Sequence, residues 1–184
     1  RVNYGTMLAE IAEGAPGARV TVEGEARGTA DPVLVRGLFE NIVGNAVKYS
    51  APGAAVDVRV RRDGDDVVVE VEDEGIGIPR DEIDHVFERF ARASNAREAD
   101  IPGTGFGLYF VRLVVQRHGG SVAIDSRVGK GTRVVVRLPC NPAFVVPLCV
   151  LVLEHDEHAA SYTEHVLRDA GYRVRVVYDG AAFE

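Results

Sequence analysis

The chain has 184 residues, 46% of them apolar, and a formal net charge of −7. That length holds one domain and part of a second, and the acidic balance argues against nucleic acid as a partner. No apolar run approaches the ~18 residues of a membrane span, and Cys140 and Cys149 alone make neither a disulfide framework nor a zinc site.

Free thiols fit a reducing compartment. The N-terminus, RVNYGTMLAE, carries no leader pattern and does not open on Met, so the chain reads as a piece of a longer one.

Residues 3–13 form a short helix through Met7, Leu8 and Ile11, broken by Gly14 to Gly17. Arg19 to Glu23 alternates and reads as a strand with Val20 and Val22 on one face. Leu34 to Ser50 is the longest helix, with Asp31 as N-cap and Pro32 at the first helical position. Leu34, Leu38 and Ile42, flanked by Val35, Phe39, Val43 and Ala46, give it a broad apolar stripe. Asn41, Asn45 and Lys48 fall at i, i+4 and i+7 and make a separate polar column. That column is either a solvated face or a row that needs a partner.

Val56, Val58 and Val60 alternate in a half-buried strand, the Asp63-Gly64-Asp65-Asp66 turn follows, and Val67 to Asp73 returns. Arg80 to Phe90 reads as a short helical segment. Ala91 to Thr104 reads as a long mobile loop of the kind that forms lids. Phe106 to His118 is a helix ended by Gly119-Gly120, with His118 at an end where a cation suits the dipole. Ser121 to Ser126 and Thr132 to Leu138 are strands around Gly129-Lys130-Gly131. The order implies a two-layer α/β sandwich, a mixed or antiparallel sheet with helices over one face. From Asn141 the pattern changes: an apolar strand Val150 to Leu153, a helix from Ala159 to Ala170 and a strand from Tyr172 to Val177 open a parallel βαβ fragment that stops incomplete.

Two glycine loops carry chemistry. Asp73-Glu-Gly75-Ile-Gly77 sets a carboxylate, an acceptor for an exocyclic amine, before glycines that let a flat ring approach backbone. Gly103-Thr-Gly105-Phe-Gly107 feeds a helix N-terminus, whose N–H groups and dipole favour phosphate. Neither is a Walker A, and the second lacks the strand a dinucleotide fingerprint needs. Each alone is as consistent with a plain turn; the asparagine column and both loops in this order form a constellation.

That constellation resembles the ATP-binding catalytic domain of bacterial sensor histidine kinases, in the gyrase–Hsp90–histidine kinase–MutL superfamily with its Bergerat fold. ENIVGNAVKYS matches its N box, EDEGIGIP its G1 box, VFERFARA its F box and GTGFGLYFVRLVVQRHGG its G2 region; SRVGKGTRVVVRLP closes the domain. The resemblance implies that Asn45, assisted by Asn41, ligates Mg²⁺, that Lys48 meets phosphate and that Tyr49 lines an ATP pocket. It implies that Asp73 reads the adenine amine, with Gly75, Gly77 and Ile78 shaping the pocket and Thr132 close to adenine. Phe87 and Phe90 would anchor the lid, and Arg92 would reach the terminal phosphate. Gly103, Thr104, Gly105, Phe106 and Gly107 would wrap the phosphates, with Leu108 beneath them.

Kinases of this type phosphorylate a histidine on a separate two-helix dimerisation domain, and none of the five histidines here has that context. The expected partners are therefore such a domain, upstream in the parent chain or in trans, and a response regulator or receiver domain. Hydrolases of the superfamily place a general-base glutamate where Asn41 stands, and Glu40 points about 100° away on the helix. A hydrolase and a non-catalytic ATP-sensing module are the alternative readings. VLVLEHDE and LRDAGYRVRVVYDGAA resemble the opening of a receiver domain, with Glu154 and His155 at the acid-pair positions, His155 departing from that pattern. The expected division is a catalytic domain over 1–140, a linker over 141–147 and a receiver-like fragment over 148–184. Easy proteolysis is expected after about residue 140, and the expected location is cytoplasmic, in a parent that is either soluble or membrane-anchored.

Overall fold

The computed structural model describes residues 1–142, 149–153, 161 and 173–177. Two compact units divide the chain, Arg1–Val145 and Val146–Glu184. In the first, β1 (Val2–Asn3) leads into α1 (Tyr4–Glu13), β2 (Arg19–Glu23), β3 (Arg27–Gly28) and α2 (Pro32–Lys48). The hairpin β4 (Ala55–Asp63) and β5 (Asp66–Asp73) follows, then α3 (Ser94–Glu98), α4 (Gly107–Arg117), β6 (Ser121–Arg127) and β7 (Gly131–Pro139).

Five strands form one mixed sheet in the order β2-β4-β5-β7-β6. Strands β2 and β4 are parallel and the other neighbours antiparallel. Helix α1 packs on β2, α2 on β4 and β5, and α4 on β6 and β7, so the helices cover one face as the sequence implies. The β1–β3 ribbon is too short to carry a periodic signal.

Helix α2 forms where its cap and stripe require. Asp31 Oδ1 accepts from the N–H groups of Val33 (3.0 Å) and Leu34 (3.2 Å), and Pro32 leads the first turn. All seven stripe residues are buried. They meet an inner sheet face of Val56, Val58, Val60, Val67, Val69, Val71, Val134, Val136 and Leu138, all buried. Each fully buried aliphatic side chain stabilises the fold by about 1.5–3 kcal/mol.

The opposite face of the sheet is charged. Arg59 bridges Asp57, Glu70 and Glu72, Arg133 pairs with Glu70, and Arg61 and Arg137 share Asp63. Surface pairs of this kind contribute little singly; they give this layer its wet side.

Two expectations are corrected. Residues 80–90 are a chain of turns, closed mostly by i→i−3 bonds such as Glu82 N–H to Pro79 O and His85 N–H to Glu82 O. The segment ends at Phe90 in the left-handed region (φ 64°), a conformation through which a right-handed helix cannot continue. Residues 91–104 are not structureless, because α3 lies within them. His118, at the end of α4, is structural and only 2% exposed. It accepts the Asp31 N–H on Nε2 (3.2 Å), so its proton sits on Nδ1, which donates to the Val114 carbonyl (2.8 Å). A neutral imidazole thus ties the end of α4 to the cap of α2.

In the second unit β8 (Cys149–Leu153) and β9 (Arg173–Val177) pair in parallel. The helix expected over 159–170 lies outside the described residues except for Ser161, and Glu154 and His155 lie outside them as well.

Candidate functional site

At one end of the sheet the apolar rows stop. Register places Val56, Asp73, Thr132 and Ser126 side by side across β4, β5, β7 and β6, on the helix-covered face. The next row inward is Val58, Val71, Val134 and Ile124. Three polar side chains therefore close the floor of an otherwise hydrocarbon layer.

Asp73 is 8% exposed. Its Oδ1 accepts from the N–H groups of Gly75 (2.8 Å) and Thr132 (3.2 Å), which leaves Oδ2 with capacity for a ligand. Burial pushes its carboxyl above the usual range, opposed by those two bonds.

A cavity of about 360 Å³ opens above this floor, a volume typical of ligand sites. Asn41, Asn45, Lys48 and Tyr49 form one wall and Asp73, Gly77, Ile78 and Thr132 another. Gly103, Thr104, Gly105, Gly107, Leu108 and Arg92 line the mouth. The helical column, the buried carboxylate and the glycine loop thus share a single cavity. Gly75 sits behind it and supplies the N–H that holds Asp73. Phe90 and Phe106 do not line it. Phe90 is 62% exposed with the Arg89 guanidinium 4.8 Å from its ring, because its left-handed backbone turns the side chain outward. Phe106 is 41% exposed, 5.5 Å from Tyr109. Phe87 is half-buried and also outside the lining.

The cationic end is well defined. A methyl group on Gly103 would stand 2.8 Å from Lys48 Nζ and 3.9 Å from Arg92 Nε, so both cations converge on that glycine. Arg92 donates through Nη2 to the Ile101 carbonyl, while its Nε is buried with no partner. An orphaned guanidinium donor beside an ammonium at a glycine loop is a fit for phosphate oxygens.

The asparagines divide in role. Asn41 Nδ2 donates to the Gly37 carbonyl (2.7 Å), which turns its oxygen toward Gly107 at the start of α4. The Asn45 side chain lines the cavity, and its neutral hard oxygen suits a magnesium ion. Among the described residues no cluster of three His, Cys, Asp or Glu competes as a metal site. None of their helices is long and apolar enough to cross a membrane.

Two glycines have conformational reasons. Gly77 is left-handed (φ 67°) and runs against the Arg127 carbonyl. Gly105 is left-handed (φ 72°), with a methyl there 2.5 Å from the Phe90 backbone.

Several participants escape motif reasoning. Ile76, Val86, Ala91, Ala93 and Ala96 supply apolar wall. Asn95 Nδ2 donates to the Gly77 carbonyl (2.8 Å), and Glu82 accepts from the Ser94 N–H (2.8 Å), so the lid is tied to the loop after β5. Ser126 accepts from the Ile78 N–H (2.9 Å). Its signal was present, since it follows Val122 and Ile124 on the inward face of β6.

Residues 30–142 match the family described as histidine kinase-, DNA gyrase B-, and HSP90-like ATPase. The chain is 33% identical over 164 residues to the circadian input-output histidine kinase CikA of Synechococcus elongatus, covering 83% of this chain and 22% of that protein. It is 41% identical over 104 residues to the sensor histidine kinase WalK of Bacillus subtilis, covering 55% and 17%. It thus spans only a small part of these relatives. Among solved structures it is similar to the mycobacterial sensor histidine kinase MprB, with TM-score 0.63, 30% identity, and 77% and 97% of the two chains covered. Full-length ShkA in complex with AMPPNP shares the fold, with TM-score 0.63, 23% identity, and 98% of this chain and 41% of that one covered.

Proposed function

The chain belongs to the histidine kinase-, DNA gyrase B- and HSP90-like ATPases and is a catalytic domain of the sensor-kinase type, and from that premise we propose that its cavity binds Mg²⁺·ATP and presents the γ-phosphoryl group to a histidine on a separate two-helix dimerisation domain. The observation that carries this reading is one cavity lined by Asp73 and Asn45, with Lys48 and Arg92 converging on Gly103 in the same lining. That is the polarity of a nucleotide: an acceptor for the base, cations for the phosphates.

Asp73 Oδ2 accepts from the adenine amine, while Ile78 supplies apolar surface to the ring and Leu108 packs beneath the phosphates. Lys48 and Arg92 neutralise phosphate charge, and the N–H groups of the Gly103–Gly107 loop, at the start of α4, donate to phosphate oxygens. Asn45 would hold Mg²⁺, which would supply charge neutralisation to the phosphates. Asn41, tied to Gly37, orients the loop through its oxygen. The lid, residues 91–104, excludes water and fixes the terminal phosphate.

Hydrolysis by the chain alone is slow in this reading. Asn41 is no base, and Glu40 is exposed on the helix and absent from the cavity wall. The tail is proposed as the opening of a receiver domain after a linker over 141–147. Support comes from its sequence resemblance. A cytoplasmic response regulator or receiver domain would then take the phosphoryl group onward.

Calorimetry with Mg²⁺·ATP tests the site. The chain is expected to bind, and Asp73→Ala and Asn45→Ala are each expected to weaken binding about tenfold or more. No binding by the unmodified chain, or unchanged binding by both variants, overturns the assignment. Incubation with a histidine-bearing two-helix domain and labelled ATP tests the transfer; acid-labile label on that domain is expected.

A further inference from the structure

The floor of the cavity holds a proton-counting problem with one solution. Ser126 Oγ lies 2.9 Å from three atoms: the Ile78 backbone nitrogen, the Gly131 carbonyl oxygen and Thr132 Oγ1. A serine hydroxyl has one proton to give and two lone pairs to receive with. The Ile78 N–H can only donate, and the Gly131 carbonyl can only accept. The Ser126 proton must therefore go to Gly131, since two oxygens at that separation need a proton between them. The Thr132 hydroxyl is then left to donate its own proton to Ser126.

With its proton turned toward Ser126, Thr132 Oγ1 keeps only lone pairs for a ligand. Thr132 stands beside Asp73 in the same cross-strand row, and both line the cavity. The other oxygen of this floor, Asp73 Oδ2, is an acceptor too. We infer that Ser126 is a specificity-determining residue, which by taking the Thr132 proton makes the floor a set of acceptors that fits a 6-amino purine and rejects a 6-oxo purine. An amino group brings two N–H donors to those acceptors. A carbonyl at the same position brings lone pairs against lone pairs, and buried groups left unpaired are what give such sites their discrimination. Ser126 acts through Thr132 and through the Ile78 N–H, so it is a positioning residue and touches no reacting atom.

This inference rests on the nucleotide reading above, and the test separates the two. Inosine triphosphate differs from ATP in carrying oxygen for the 6-amino group and, with it, a proton on the neighbouring N1. The readout is the ratio of its Kd to that of ATP, measured by calorimetry with Mg²⁺ on the 184-residue chain, its fold checked by circular dichroism. The unmodified chain is expected to favour ATP. Ser126→Ala frees the Thr132 proton to turn into the cavity and is expected to shrink the ratio by about tenfold. Ser126→Thr keeps the hydroxyl and is expected to restore it. A purely structural Ser126 would weaken both nucleotides alike and leave the ratio where it was, which overturns the inference while the nucleotide reading stands. If Ser126→Ala abolishes all binding, Thr132→Val decides: it removes the acceptor and keeps the β-branched shape, so a reduced ratio supports the inference and an unchanged one overturns it. No binding of ATP by the unmodified chain overturns the nucleotide reading and this inference with it.

Discussion

Asp73 is an acid in a valine row, and its residence there has a cost in the free protein. Burial raises its pKa, and the negative charge of Glu72 nearby acts in the same direction, against the two backbone N–H bonds. A group whose folded pKa lies above its unfolded value lends stability at low pH and loses it as pH rises through the folded value. Asp73→Asn keeps an acceptor for the Gly75 and Thr132 N–H groups and removes that ionisation. The variant is expected to raise Tm, and by more at about pH 7.5 than at about pH 4, because burial holds the native carboxyl above its ordinary value. It sets a donor where Oδ2 stood, so ATP affinity is expected to fall about tenfold or more. Thermal unfolding at the two pH values and an ATP titration check both halves; a variant that binds ATP normally would show that Oδ2 does not face the base. Asp73 was legible in the sequence because a carboxylate before two glycines is a pattern. Ser126 was less so, because its importance lies in the hydrogen-bond partners that β7 and the Ile78 segment bring to it, and only register supplies those.

At the scale of elements, what could be read was what local chemistry decides. The cap and stripe of α2, the two-residue β4–β5 turn and the glycine stop after α4 are all written in adjacent residues. The segment from Arg80 to Thr104 was misread because its conformation is decided from a distance. Helix α3 has five residues, far below the length at which a helix stands alone. It is held by burial of Ala96, by Glu82 at its first N–H and by Asn95 on the Gly77 carbonyl, partners 12 and 18 residues away in the chain. Left-handed Phe90 and Asp100 flank it, each a conformation that side chains resist. An element tied by so few bonds opens on its own, before the sheet does. Asn95→Ala is expected to speed amide exchange across 94–101 about tenfold, the equivalent of one lost hydrogen bond, and to leave the β5 and β7 amides unchanged. Equal acceleration in the strands would mean that the lid and the sheet open together.

For the whole molecule, the two faces of the sheet answer acid in opposite senses. On the wet face Arg137 and Arg61 hold Asp63 below the usual carboxylate range, and Arg133 does the same for Glu70 against the effect of partial burial. Their contribution is present above the unfolded pKa and disappears as pH falls through the folded values, whereas Asp73 gains on the same descent. The pH-sensitive ion pairs and the site carboxylate thus lie on opposite sides of one layer, both within the unit that ends at Val145. Every cavity-lining residue falls between Asn41 and Val134. The chain spans 22% of CikA and 17% of the Bacillus WalK. Because every lining residue falls within the first unit, ending the chain at Val145 is expected to leave the Kd for Mg²⁺·ATP within about twofold of the 184-residue value. Calorimetry on the two lengths side by side is the measurement. A loss of about tenfold in the shorter chain would mean that the second unit takes part in the site, and the catalytic domain would then have to be redrawn to include it.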